Sequence, residues 1–222
     1  MLKGGFAACQ GLIYESQHKE SRVLDVAALE FCQILADTCI GNPLHPAFNV
    51  YDIRIPCDTP PLCYDFSQSD AFLNREDVQT TLGVEGRKWV ECDTMVHTYL
   101  LGDWMTNLMP QVADMLDNTD IEVLVYSGDK DWICNWRGGE AWTAATKWAH
   151  KDEFNAASYE QWMVNDEAAG EMRQFGNLHF LRVYEAGHMV PMDQPQNALE
   201  MVKRMIANDW NLSQQESVEI TQ

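Results

Sequence analysis

The chain has 222 residues, 46% of them hydrophobic, with eight tryptophans, which describes a globular protein with a sizeable core rather than a disordered one. A formal net charge of −19 would repel phosphate backbones, making nucleic acid a poor partner, and no stretch reaches the roughly 18 apolar residues of a membrane span. The carboxylate excess suits work in acid, and equally suits ordinary solubility.

In chain order, the opening MLKGGFAACQGLIY lacks the apolar core and cleavage site of a signal peptide. Between Arg22 and Thr38, Leu24, Ala28, Phe31 and Leu35 fall on one helical face. Residues 41–66 are rich in proline and turn residues and read as an irregular insertion, with one strand-like run, FNVYDIR. DAFLNREDVQTTLGV predicts a helix capped by Asp70 and stopped by Gly83. In LGDWMTNLMPQVADMLDN, Trp104, Leu108, Val112 and Met115 share a stripe that Pro110 would kink or restart. IEVLVYSGD and LHFLRVYEAG then read as buried strands. GGEAWTAATKW reads as a helix, and QPQNALEMVKRMIAND as an amphipathic helix with Leu199, Val202 and Ile206 inward. Strand, helix, strand, helix predicts the end of a parallel α/β sheet behind a mainly helical cap.

The seven cysteines favour an oxidising compartment, and the odd count leaves at least one thiol free or paired outside the chain. Cys57 and Cys63 flank DTPPL, a loop that two half-cystines could close, and Cys32 and Cys39 bracket a predicted helix end. The triplet Asn211–Ser213 fits a glycosylation acceptor.

Chemistry gathers at the two strand ends. The first offers Asp129 and Asp131 in GDKD, and the second offers His188 in EAGHMVP. Acid first and histidine later is the order of α/β-hydrolases, in which the acid fixes the imidazole tautomer and the other ring nitrogen takes a proton from a nucleophile. Taken alone, SGDKD would also serve as a solvated turn, and His188 as a structural histidine. A calcium loop would need alternating ligands and a terminal glutamate that are missing, and no cysteine or histidine pair has zinc-like spacing.

VLVYSGDKDWICNW and AGHMVPMDQPQNAL, with NVYDIR, the cysteine pair near Tyr64, YLLGDWM and DEAAGEM in the same order, resemble the serine carboxypeptidase family over roughly residues 40–210. The resemblance implies the C-terminal part of an α/β-hydrolase fold with a mainly helical insertion. Residues 1–69 would form the insertion or cap with disulfide-type loops, 70–211 the core, and 212–222 a loose tail. It implies Asp131 as the triad acid, Asp129 shaping the turn, and His188 as the general base. Cys134 would be a thiol beside the site, Ile133 and Trp104 would line the pocket for the penultimate side chain, and Met189 and Tyr64 would face the substrate's C-terminal residue. Cys57–Cys63 would be a local disulfide, and Cys92 would pair with a cysteine of the family's N-terminal half. The implied activity removes C-terminal residues from peptides at acidic pH, in a lysosome, vacuole or secretion, without metal or other cofactor. The implied partners are peptide substrates, the N-terminal half and, as a homodimer, a second copy.

One departure matters. The family's nucleophile lies in GESYAG, yet none of Ser16, Ser21, Ser67, Ser69, Ser127, Ser158, Ser213 or Ser217 stands in G-x-S-x-G. The expectation is therefore a C-terminal fragment or one chain of a processed enzyme, carrying the acid and base without the serine and inactive alone. An inactive binding protein and an acyltransferase on the same scaffold are the alternatives. Retention of Asp131 and His188 favours truncation.

Overall fold

A computed structural model of the chain describes residues 2–19, 21–42, 45–46, 48–60 and 62–210; the Asn211–Ser213 triplet and the 212–222 tail lie outside the described residues. The chain divides into two compact units, Met1–Phe48 with Pro56–Asn107, and Asn49–Ile55 with Leu108–Gln222. The boundary at Asn107 falls downstream of the 69/70 division expected from the sequence. Among the described residues no helix is long and apolar enough to cross a membrane.

In the first unit, α1 (Leu2–Lys19) and α2 (Arg22–Ile40) pack as a helical hairpin. Sequence pattern gave no helix for α1, because Gly4, Gly5 and Gly11 lower its propensity and interrupt its apolar positions. Tertiary contacts supply what propensity does not. Cys9 and Cys32 form a disulfide across the hairpin, and the Leu35 side chain packs where a Gly5 Cβ would stand. Ala28 and Leu29 are buried in α2, whereas Phe31, which shares a helical face with Ala28 in the sequence pattern, is exposed. Replacing Cys9 and Cys32 by alanine should cost the hairpin about 3 kcal/mol of loop-closure entropy. Hydrogen exchange should then accelerate throughout α1 while the sheet amides of the second unit keep their protection.

β1 (Gly41–Asn42) pairs antiparallel with β2 (His45–Pro46). The single helix expected after residue 70 is two, α3 (Ser67–Leu73) and α4 (Glu76–Leu82). The break falls at Asn74, whose amide side chain bonds the Trp89 backbone in both directions at 2.9 Å, so Asp70 lies inside α3 and caps nothing. Gly83 stops α4 in the left-handed conformation, as expected. In α5 (Thr94–Leu100), the Asp93 carboxylate accepts from the Met95 and Val96 amides.

In the second unit, α6 (Met109–Asn118) restarts the chain at Pro110, buries Ala113 and Leu116, and leaves Trp104 and Leu108 outside the helix. There follow β3 (Val123–Gly128), α7 (Trp136–Ala145), α8 (Lys151–Ala156), β4 (Glu160–Val164), β5 (Glu167–Phe175), β6 (Leu178–Val183), α9 (Val190–Asp193) and α10 (Pro195–Ala207). The sheet order is β3-β6-β5-β4, with β3 and β6 parallel and the other pairs antiparallel. The two expected strands are thus parallel, and an antiparallel β4–β5 hairpin makes the sheet mixed. The overlooked β4–β5 hairpin turns at Asn165–Asp166, both at positive φ, which is the type I′ chemistry of a two-residue loop.

β6 is central and feeds both layers of core. Leu181 and Val183 pack with Trp162, Met172 and Met201, while Leu178 and Phe180 pack with Phe154, Trp148 and Leu116. In α10 the inward stripe is Ala198, Met201 and Met205; Leu199, Val202 and Ile206 are 57%, 49% and 82% exposed. Both stripes share one helical spacing, offset by a single residue, so periodicity alone could not phase the helix.

Candidate active site

The parallel strands β3 and β6 end side by side, with Gly128 opposite Val183, so the loops after them emerge at one carboxyl edge. The backbones converge there: a Cβ on Gly128 would overlap the carbonyl oxygens of Ala186 and Gly187. That close approach excludes every larger residue. Asp129 N donates to Val183 O at 2.9 Å and Lys130 N to Ala186 O at 2.8 Å, which carries the loops onward in register.

The Asp131 side chain is buried and divides its oxygens between two tasks. Oδ1 accepts from the Cys134 amide at 3.1 Å, closing the turn, and Oδ2 accepts from His188 Nδ1 at 2.9 Å. A carboxylate at Nδ1 places the ring proton there, leaving Nε2 as the basic nitrogen. No described residue hydrogen-bonds Nε2, and the His188 side chain is 35% exposed. Asp129 meets the Lys130 ammonium at 3.1 Å and lies 3.7 Å from Arg182, while Lys130 also reaches Glu185 at 3.0 Å.

Residues 49–55 form no strand, contrary to the expectation for FNVYDIR. They form a bracket across both loops. Val50 O accepts from Trp132 N and Ile133 N at 3.2 and 3.0 Å, Ile53 N donates to Lys130 O at 3.1 Å, and Tyr51 O accepts from His188 N at 2.7 Å. Asn49 and Asp52 are buried within it. Main-chain bonds to loop partners carry no two-residue periodicity, so the pattern could not reveal them.

Arg54 holds the Asp52 carboxyl below the usual carboxylate range. A group with a lowered folded pKa stabilises the fold above its unfolded value and loses that contribution as pH falls through the folded value. The stability difference between wild type and Asp52→Asn, read from urea midpoints, should therefore stay constant from about pH 7 to pH 5 and shrink below about pH 4.

Of the other expected site residues, Ile133 and Cys134 are exposed on the acid loop, and Met189 follows His188 at the start of α9. Tyr64 and Trp104 belong to the first unit, where Tyr64 packs on Phe66 and Trp104 makes a T-shaped pair with His97. The Cys57–Cys63 disulfide is formed, whereas Cys39, Cys92 and Cys134 are free and exposed. Donor atoms of Asp131, Cys134 and His188 lie within 4.8 Å of one another, a metal-capable cluster that sequence spacing concealed because His188 comes from another loop. Although Cys134 is exposed as a residue, burial of its sulfur and then the Asp131 carboxylate push the thiol above its ordinary range. It stays protonated at neutral pH and is a poor nucleophile.

A carboxylate and an imidazole bonded at adjacent strand ends of a helix-flanked sheet form the arrangement of the α/β-hydrolase fold. The model of the serine carboxypeptidase family matches residues 4–208, and the chain belongs to that family. Over 206 residues it is 39% identical to carboxypeptidase Y of Komagataella phaffii, covering 91% of this chain and 39% of that protein. A serine carboxypeptidase-like protein of Pisum sativum is 47% identical over 156 residues, covering 70% of this chain and 54% of its own. The crystal structure of a prohormone-processing carboxypeptidase from Saccharomyces cerevisiae shares the fold, with a TM-score of 0.71 at 23% identity over 93% of this chain and 47% of that one. The chain thus spans about half the length of these relatives, or less.

Proposed function

We propose that this chain supplies the acid and base of a serine-type carboxypeptidase whose nucleophilic serine lies on polypeptide outside this sequence. The observation that carries the reading is the Asp131–His188 pair at 2.9 Å with Nε2 left available. In this mechanism Nε2 takes the serine proton as oxygen attacks the C-terminal peptide carbonyl, then returns it to the leaving amine. The same nitrogen next activates water against the acyl-enzyme, and Asp131 stabilises the imidazolium formed in each half. Ser127 is unsuited to the missing role, since it lies within β3 opposite Arg182 rather than on a strand-to-helix elbow.

Two further features support the reading. β3 has β6 as its one neighbour among the described residues, leaving an edge that more strands would complete. Cys134, Ile133 and Met189, on the acid and histidine loops, are proposed as substrate contacts; Tyr64 and Trp104 are proposed for that role by resemblance alone. Two disulfides fit a lysosomal, vacuolar or secreted setting. The test mixes this chain with the serine-bearing portion of a family member and follows release of the C-terminal residue from an N-blocked dipeptide at acidic pH. Turnover should require both components and vanish with His188→Gln; a mixture no faster than either component alone would refute the proposal.

A further inference from the structure

The geometry points to Arg54 as a positioning residue for His188, acting through Asp52, Asp193 and the backbone of the histidine loop; this rests on the acid–base reading above. The guanidinium engages the buried Asp52 as a fork, Nε to Oδ1 at 2.9 Å and Nη2 to Oδ2 at 2.6 Å. Its third nitrogen, Nη1, donates to Glu185 O at 2.9 Å. Nη2 also lies 3.4 Å from Asp193 Oδ2, the oxygen that accepts from Gly187 N at 2.6 Å.

Three points of the histidine loop are thereby fixed, two from the 49–55 segment directly and one through Asp193. Glu185 O is held by Arg54 together with Gln194 Nε2 at 3.0 Å, Gly187 N by Asp193 under Arg54, and His188 N by Tyr51 O at 2.7 Å. The loop needs such support. Glu185 sits at φ 51, a left-handed conformation that a non-glycine residue keeps only when its surroundings impose it. Gly187 is pressed so close that an added Cβ would lie 2.5 Å from Tyr51 O. The His188 ring, being 35% exposed, is not locked by packing alone. Its aim at Asp131 therefore depends on the backbone that carries it. A planar fork with donors in three directions meets these acceptors together, which a lysine ammonium cannot do.

The test reads the His188 tautomer in the full chain by 15N NMR, at a pH where the ring is neutral. In the wild type the proton should reside on Nδ1, against Asp131. Arg54→Lys and Asp193→Asn should each lower the Nδ1–H to Nε2–H ratio several-fold towards that of free histidine, with Leu181 and Val183 methyl shifts unchanged as proof of fold. Should Arg54→Lys fail to fold, Asp193→Asn alone decides, since it leaves the Asp52–Arg54 fork in place. Wild-type ratios in the folded variants would overturn the inference. Asp131→Asn is the separate control: a ratio it leaves unchanged would sink the acid–base reading itself, whatever Arg54 does.

Discussion

Gly128→Ala is expected to destabilise the second unit by about 4 kcal/mol or more, because the new methyl must displace backbone rather than a flexible side chain. The carbonyls of Ala186 and Gly187 stand where it would go, and neither can retreat without breaking the bonds that Lys130 N and His188 N make beside them. The strand ends would separate, and the acid and histidine loops with them. Gly138→Ala is the matched control. Gly138 is helical, in α7, and an added Cβ meets nothing nearer than the Asn135 side chain at 3.8 Å. The same chemical change should there stabilise by about 0.5–1 kcal/mol. Urea unfolding of both variants measures the contrast; equal effects would show that the convergence of the two loops is not what requires glycine at 128.

The second large effect is on rate. In the assembled enzyme, Asp131→Asn should lower kcat about ten-thousand-fold with KM little changed, since an amide at this position supports the wrong imidazole tautomer and cannot stabilise its cation. The asparagine carbonyl can still accept from the Cys134 amide, so the turn should persist and the loss should not be one of folding. Steady-state kinetics with a blocked dipeptide, beside a thermal midpoint for the variant, separates the two. A loss below about tenfold would remove Asp131 from the triad role.

The acid and the histidine show what was legible in the sequence. Asp131 and His188 follow apolar runs long enough to read as buried strands, so their place at a carboxyl edge was predictable from local pattern, whereas the need for glycine at 128 was not. The pairing of β3 with β6 is set by the sheet and not by that local pattern. The β4–β5 hairpin was not legible, although Asn165–Asp166 carried a turn signal, because its strands mix charged and apolar residues irregularly. The phase of α10 was lost for a different reason: Leu199 and Ala198 begin equally regular stripes, and close packing against the sheet selects the smaller residue.

The segment 49–55 is the instructive case. Its valine, tyrosine and isoleucine look like a strand, yet its polar residues do the organising. Asn49 Oδ1 accepts from Tyr51 N at 2.9 Å and Asp52 Oδ1 from Arg54 N at 2.9 Å, which curl the chain into turns. Its partners lie some 75 to 140 residues downstream, at Lys130, Trp132, Ile133, Glu185, His188 and Asp193. No window-based pattern contains both ends of such contacts. Cys9 and Cys32 lie only 23 residues apart, yet nothing between them marks the pairing.

In the proposed enzyme this chain carries the acid and base while the serine comes from other polypeptide. Labelling with a fluorophosphonate probe, followed by mass spectrometry to locate the tag, tests that most directly. This chain alone should remain unlabelled. Mixed with a serine-bearing portion of a family member, the tag should appear on that portion and depend on His188. Stoichiometric labelling of any serine within these 222 residues would contradict the account.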